Sequence, residues 1–125
     1  MKILLTTLNA KYIHSNLALK YLYMSSLEYR RSIDMREFTI NNDDDYIYTE
    51  ILRGEYGVVC FSCYIWNIEK TIALAENIKK ARPNMKILLG GPEVSYDSIE
   101  FLRNHKYVDY IIVGEGEDVF KKFVE

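Results

Sequence analysis

The sequence predicts an α/β fold: a five-stranded, doubly wound parallel sheet in the flavodoxin-like, Rossmann-like order 2-1-3-4-5, with helices on both faces. Three observations lead there. Apolar runs alternate with helical periodicity along the 125 residues, at about one unit per 25 residues. Two of the runs, Ile87-Leu88-Leu89 and Ile111-Ile112-Val113, are too short for helices and too apolar for half-exposed strands, which marks buried parallel strands. Both stop at glycine, in Gly90-Gly91-Pro92-Glu93 and in Gly114-Glu115-Gly116-Glu117. Glycine at a strand's carboxyl end permits positive φ or a close approach of backbone to a ligand. Those ends are where open parallel sheets bind ligands.

Lys2 to Thr7 is the first strand. Asn16 to Arg30 is helical, with Leu17, Tyr21 and Met24 beside Ala18 and Leu22 in a broad apolar stripe. Asp34 to Ile40 alternates less evenly and suits a strand nearer the sheet edge. Asp43 to Arg53 is a short helix closed by Gly54. Gly57 to Ser62, apolar on both faces, is the third and central strand. Asn67 caps a helix whose expected buried stripe is Ile68, Ile72, Ala75 and Ile78, and Pro83 prevents its continuation. Lys86 to Leu89 is the fourth strand, Ser98 to Asn104 a short helix and Tyr110 to Val113 the fifth strand. A last helix carries Val119, Phe120, Phe123 and Val124. Right-handed crossovers then place helices on both faces of the sheet.

Composition narrows the class. A chain of this length fits one domain, 1–125. With 49% hydrophobic and 27% charged residues its make-up is that of an ordinary soluble domain. A net charge of −2 gives no basic face for nucleic acid. No apolar run reaches the roughly 18 residues of a membrane span, and Asn9, Lys11 and His14 break the apolar start before a signal peptide can form. A cytoplasmic protein with no nucleic-acid or membrane partner is expected. Phe123 and Val124 leave an apolar end without a cap, so the chain is expected to be a piece of a longer protein.

Several motifs point to chemistry that a simpler reading also covers. Cys60 and Cys63 share a C-x-x-C spacing, but residues three apart on a strand face opposite ways, so two unpaired thiols are expected, with Cys60 in the core. No second cysteine pair completes a metal site. Gly114-Glu115-Gly116-Glu117-Asp118 opens like a dinucleotide fingerprint but lacks the third glycine, lies in the last unit and carries three carboxylates that would repel pyrophosphate. A helix start explains those carboxylates, and likewise Asp43-Asp44-Asp45. A phospho-receiver would need acidic residues after strand one and an aspartate after strand three. Thr6-Thr7-Leu8-Asn9 and Ser62-Cys63-Tyr64 stand there instead. Nor does Leu8-Asn9-Ala10-Lys11-Tyr12 make a flavodoxin phosphate loop. His14, on the ligand edge, suits a metal or cofactor ligand or a helix-entry residue bonded to local backbone. Tyr12, Tyr64 and Trp66 on the same edge, with the glycines, describe a broad ledge able to pack a large flat cofactor.

Four segments together carry a resemblance: Thr6 to Leu19, Phe61-Ser62-Cys63-Tyr64-Ile65-Trp66-Asn67, Leu89-Gly90-Gly91-Pro92-Glu93 and Val113-Gly114-Glu115-Gly116-Glu117. The chain resembles, over its whole length, the N-terminal cobalamin-binding domain of cobalamin-dependent radical S-adenosylmethionine (SAM) enzymes. The Gly-Gly-Pro-Glu loop followed by Val-Gly-Glu-Gly-Glu is the most specific element. The resemblance implies that the sheet's carboxyl edge holds the corrin while the dimethylbenzimidazole tail inserts beside the sheet. Ser62 matches the small hydroxyl residue near the tail, and Gly90, Gly91 and Pro92 match the turn that lets it pass. Gly114, Glu115 and Gly116 line the next loop, and Leu8, Asn9, Cys63 and Tyr64 complete the implied cofactor-binding set. The Asp-x-His-x-x-Gly signature of corrinoid domains with a protein histidine under cobalt is missing after strand one. Cobalt without such a histidine is therefore implied.

The partner implied is a radical SAM domain of the same full-length chain, whose Cys-x-x-x-Cys-x-x-Cys motif is absent here. That domain would hold a 4Fe-4S cluster and S-adenosylmethionine, for methyltransferase-like chemistry. This domain would position the cofactor, so no catalytic or metal-ligating residue is assigned within it. Two other classes stay open: a ligand-free α/β protein-interaction domain, and a small nucleotide- or flavin-binding regulatory domain.

Overall fold

The computed structural model describes residues 2–10, 32–91, 94 and 98–113. Strands β1 (Ile3–Asn9), β2 (Ile33–Thr39), β3 (Val58–Ser62), β4 (Lys86–Gly90) and β5 (Tyr110–Ile111) alternate with helices α1 (Asp44–Arg53), α2 (Ile68–Ala81) and α3 (Ser98–Asn104). The strands form one parallel sheet in the order β2-β1-β3-β4-β5, as expected, with β3 at its centre and β2 at an edge. The helices expected over Asn16 to Arg30 and around Val119 to Val124 lie outside the described residues.

Strand alternation divides the core into two clusters on opposite faces. On one face Leu4, Leu8, Val59, Phe61, Ile87 and Leu89 pack with Ile47 and Ile51 of α1, Leu74, Ala75 and Ile78 of α2, and the partly buried Phe101 and Leu102 of α3. On the other, Ile3, Leu5, Ile33, Val58, Cys60, Leu88 and Ile112 form a second buried cluster. Burial on both faces explains why the strands read as near-continuous apolar runs.

Two local readings change. The core stripe of α2 is Thr71, Leu74, Ala75 and Ile78, while Ile72 is half-buried; a polar Thr71 at a core position disguised the true face. Asn67 precedes the helix but makes no capping bond to it. β1 and β4 also run on beyond their expected ends, to Asn9 and Gly90. Leu8, Asn9 and Gly90 therefore sit in regular strand, where register fixes which way each side chain points. Around the sheet, Lys79 clamps the start of β4 to the β5 approach, bonding the Met85 carbonyl at 2.8 Å and Asp109 at 2.7 Å. Lys70 of α2 holds the β2–α1 turn through the Ile40 and Asn42 carbonyls and Asp44. That ion pair, together with a helix start, accounts for part of the Asp43–Asp45 cluster.

Candidate cofactor ledge

The carboxyl ends of β1, β3 and β4 come together in register: Thr7 lies opposite Ser62, and Ser62 opposite Gly90. All three point to the face that carries the second core cluster. One step down the strands, the corresponding row is Leu5, Cys60 and Leu88. Side-chain volume therefore drops abruptly at the top of the sheet, which makes a shelf of small, hydroxyl-bearing or side-chain-free positions above an apolar floor. Among the described residues, a Cβ built on Gly90 meets nothing nearer than 4.0 Å, from Ile112.

Gly91 serves a different purpose. Its φ of +104° is one that side chains rarely adopt, and a Cβ there would overlap the Cys63 carbonyl oxygen and approach the Cys63 nitrogen to 2.9 Å. The Cys63 N–H donates to the Gly90 carbonyl at 2.7 Å. Gly91 thus lets the ends of β3 and β4 lie against each other. Pro92, Gly114, Glu115 and Gly116 lie outside the described residues, as do Tyr12 and His14.

One side chain stitches the ledge. Asn67, 1% exposed, accepts from the Tyr64 N–H at 2.8 Å through Oδ1. That donor fixes the amide's orientation, so Nδ2 faces the Leu8 carbonyl at 3.0 Å, with Thr7 Oγ1 and the Ser62 carbonyl each at 3.3 Å. Two N–H groups facing three acceptors must be shared. Thr7 Oγ1 in turn donates to the Ser62 carbonyl at 2.8 Å, and Trp66 Nε1 reaches the Leu8 carbonyl at 3.3 Å. The strand ends of β1 and β3 are thereby tied across the sheet. In sequence alone Asn67 reads as a helix cap, because its cross-strand partners lie 60 and 59 positions away.

Of the sequence-derived site residues, Ser62, Gly90 and Asn9 share the shelf face, with Gly91 beside them. Leu8 and Cys63 send their side chains into the core on the opposite face and offer backbone at the edge. Tyr64 stacks on Trp66, with ring centroids 4.6 Å apart and planes 2° from parallel. Trp66 is 41% and Ile65 78% exposed, so an apolar, aromatic wall rises beside the shelf. Cys60 and Cys63 form no disulfide and are buried on opposite faces, and burial pushes the Cys60 thiol far above its ordinary range. Among the described residues no group of three His, Cys, Asp or Glu is arranged to hold a metal ion.

Small in-register residues, a Gly90 that no described atom crowds and a buried acceptor on Asn9 with no partner among the described residues fit a bulky ligand that carries hydrogen-bond donors and enters beside the sheet. Residues 3–124 match the family model of the B12 binding domain. The chain is 36% identical over 67 residues to the 2-(S-pantetheinyl)-carbapenam-3-carboxylate methyltransferase of Streptantibioticus cattleyicolor, covering 54% of this chain and 10% of that protein. It is 36% identical over 70 residues to the cobalamin-dependent radical SAM methyltransferase TokK of Streptomyces tokunonensis, covering 56% of this chain and 10% of that protein. The chain therefore spans about a tenth of the length of these relatives.

Among solved structures, the cobalamin-dependent S-adenosylmethionine radical enzyme OxsB superposes with TM-score 0.70 at 15% identity, over 98% of this chain and 18% of that one. A cobalamin-binding protein from Desulfitobacterium hafniense DCB-2 superposes with TM-score 0.67 at 11% identity, over 98% and 57%. A response regulator from Thermotoga maritima reaches 0.63 at 12% identity, over 99% and 98%. At such identities these likenesses show the fold alone, and receivers share it; Ser62 and Thr6-Thr7 stand where receiver acids would. On the family match, the chain belongs to the B12-binding domain family.

Proposed function

We propose that residues 1–125 form a single cobalamin-binding domain of a longer, cytoplasmic radical SAM protein, and that it presents the corrinoid to a downstream domain holding S-adenosylmethionine and a 4Fe-4S cluster. The observation that carries this reading is the Thr7–Ser62–Gly90 row, small residues in register at the carboxyl ends of three parallel strands. The benzimidazole tail would lie over that row, with Ser62 at hand for a hydrogen bond and Gly90 leaving room for backbone contact. Pro92, Gly114, Glu115 and Gly116 would line the adjoining loops. The exposed Trp66, stacked on Tyr64, would pack against the flat corrin beside the ledge. Cobalamin, when bound, would supply a cobalt centre that carries a one-carbon unit; this chain's residues bind, orient and shield it. The similarity to two methyltransferases supports methyl transfer as the task of the whole protein.

Hydroxocobalamin titration, desalting and an absorption spectrum test the reading. Gly90→Leu would project a side chain from the face of Leu88 into the space the cofactor would take, and so should abolish retained corrin absorbance while thermal stability holds. Retention by the wild type and loss in Gly90→Leu support the module. A folded wild-type chain that retains no corrin, alone or within its full-length protein, would favour a ligand-free interaction domain. A flavin band or a nucleotide-induced thermal shift would favour the third class.

A further inference from the structure

Asn9 ends β1 on the shelf face and is 3% exposed. Its Nδ2 donates to Glu37 Oε1 at 3.1 Å. A carboxylate only accepts, so this contact fixes the amide with its N–H groups toward Glu37 and its carbonyl turned away. That carbonyl oxygen, Oδ1, is shielded from solvent and has no hydrogen-bond partner among the described residues. A fully polarised acceptor is thus held in place by a neighbouring strand and left waiting for a donor. Asn9 stands two residues beyond Thr7 on the same strand, so it lies about 6.6 Å further toward the sheet's carboxyl edge than the small-residue row. At that height it meets the rim of a ligand seated on the edge, rather than a tail lying over the row.

Taking the chain as a corrinoid module, we infer that Asn9 Oδ1 accepts a hydrogen bond from a primary carboxamide on the corrin periphery and so selects amidated corrinoids over their carboxylates. A corrin rim carries neutral –CONH2 groups, whose N–H bonds match a lone carbonyl acceptor. A –COO− in the same place would set oxygen against oxygen, with the Glu37 carboxylate just behind. The acceptor attracts the amide and the acid repels its hydrolysed form, which is how discrimination between near-isosteres is built.

Absorption titrations of the protein with hydroxocobalamin, with cobinamide and with the cobalamin monocarboxylates, each with one peripheral amide hydrolysed, test this. At least one monocarboxylate should bind the wild type about tenfold or more weakly than hydroxocobalamin. In Asn9→Leu that gap should shrink to about threefold or less, and Glu37→Gln, which frees the Asn9 amide to turn over, should shrink it part of the way. A purely structural role for Asn9 would scale every affinity by the same factor, leaving the ratios unchanged and overturning the assignment. Equal affinity of all monocarboxylates for the wild type would also overturn it, although binding of hydroxocobalamin itself would leave the module intact. If Asn9→Leu weakens cobalamin but not cobinamide, the donor belongs to the nucleotide tail and the amide assignment is wrong. No corrinoid bound at all would instead count against the module.

Discussion

Replacing Gly91 by alanine should markedly destabilise this domain, whereas the same change one residue earlier should be almost silent. At Gly91 the φ of +104° is strained for any side chain, at about 1–3 kcal/mol. The added methyl would also press on the Cys63 carbonyl oxygen and nitrogen, backbone atoms that cannot rotate away. Overpacking of that kind adds about 1–3 kcal/mol. The sum, about 2–6 kcal/mol, is a large share of the roughly 5–15 kcal/mol typical of a domain. At about 4 °C per kcal/mol for this size, Tm should fall by about 8–24 °C. At Gly90 the nearest described atoms to a Cβ are 4.0 Å away, and Gly90→Ala should stay within about 1 kcal/mol of the wild type. Thermal and urea denaturation followed by circular dichroism measure both. A Gly91→Ala protein within about 1 kcal/mol of the wild type would refute the assignment of Gly91 to strand-end packing and return it to the ligand.

Asn67→Ala strips the Tyr64 N–H of its acceptor and leaves the Leu8 carbonyl with Trp66 alone, so urea unfolding should show a loss of about 2–4 kcal/mol; Asn67→Asp should do no better, since it turns an oxygen toward that carbonyl. Thr71 carries a fully buried hydroxyl with no partner among the described residues, and Thr71→Val should therefore raise stability by about 1 kcal/mol, an unchanged or lowered midpoint counting against the orphan. Burial pushes Tyr56 and Tyr107 up to about 12 in the folded chain, Tyr56 with help from Asp34. Both are acids whose proton the folded state holds more tightly than the unfolded. Their contribution is therefore complete below about pH 10 and lost as pH rises from about 10 to about 12, and the Tyr56→Phe, Tyr107→Phe double variant should flatten stability across that window. Neither thiol should react with a disulfide reagent until the chain is unfolded, when both should titrate; rapid labelling in the native state would contradict their burial.

Much of this fold is legible in the sequence because parallel strands buried on both faces announce themselves as short apolar runs. Ile87-Leu88-Leu89 and Val58-Val59-Cys60-Phe61 carry that signal without help from neighbours. The order of strands comes from alternation with helices and crossover handedness. The ledge is legible as far as its small residues, Ser62 and Gly90, because a volume drop at a strand end shows in one dimension. The role of Gly91 and the work of Asn67 do not show there. The glycine's constraint comes from the Cys63 backbone just past the end of β3, far back in the chain, and a buried asparagine ahead of an amphipathic helix looks the same whether it bonds that helix or another strand. Register, rather than composition, also decided that Leu8 and Cys63 turn inward.

The amide of Asn67 has a consequence for how such a domain can change. It pins β1 at Leu8 and β3 at Ser62, and holds Tyr64 just past the end of β3. Edge loops that leave the Ser62-to-Asn67 segment intact should lengthen, shorten or trade residues without disturbing the scaffold beneath. A rivet under exchangeable rims makes the ledge a natural place for grafting: transplanting a relative's edge loops onto this sheet should succeed while that asparagine is kept, and fail when it is left behind.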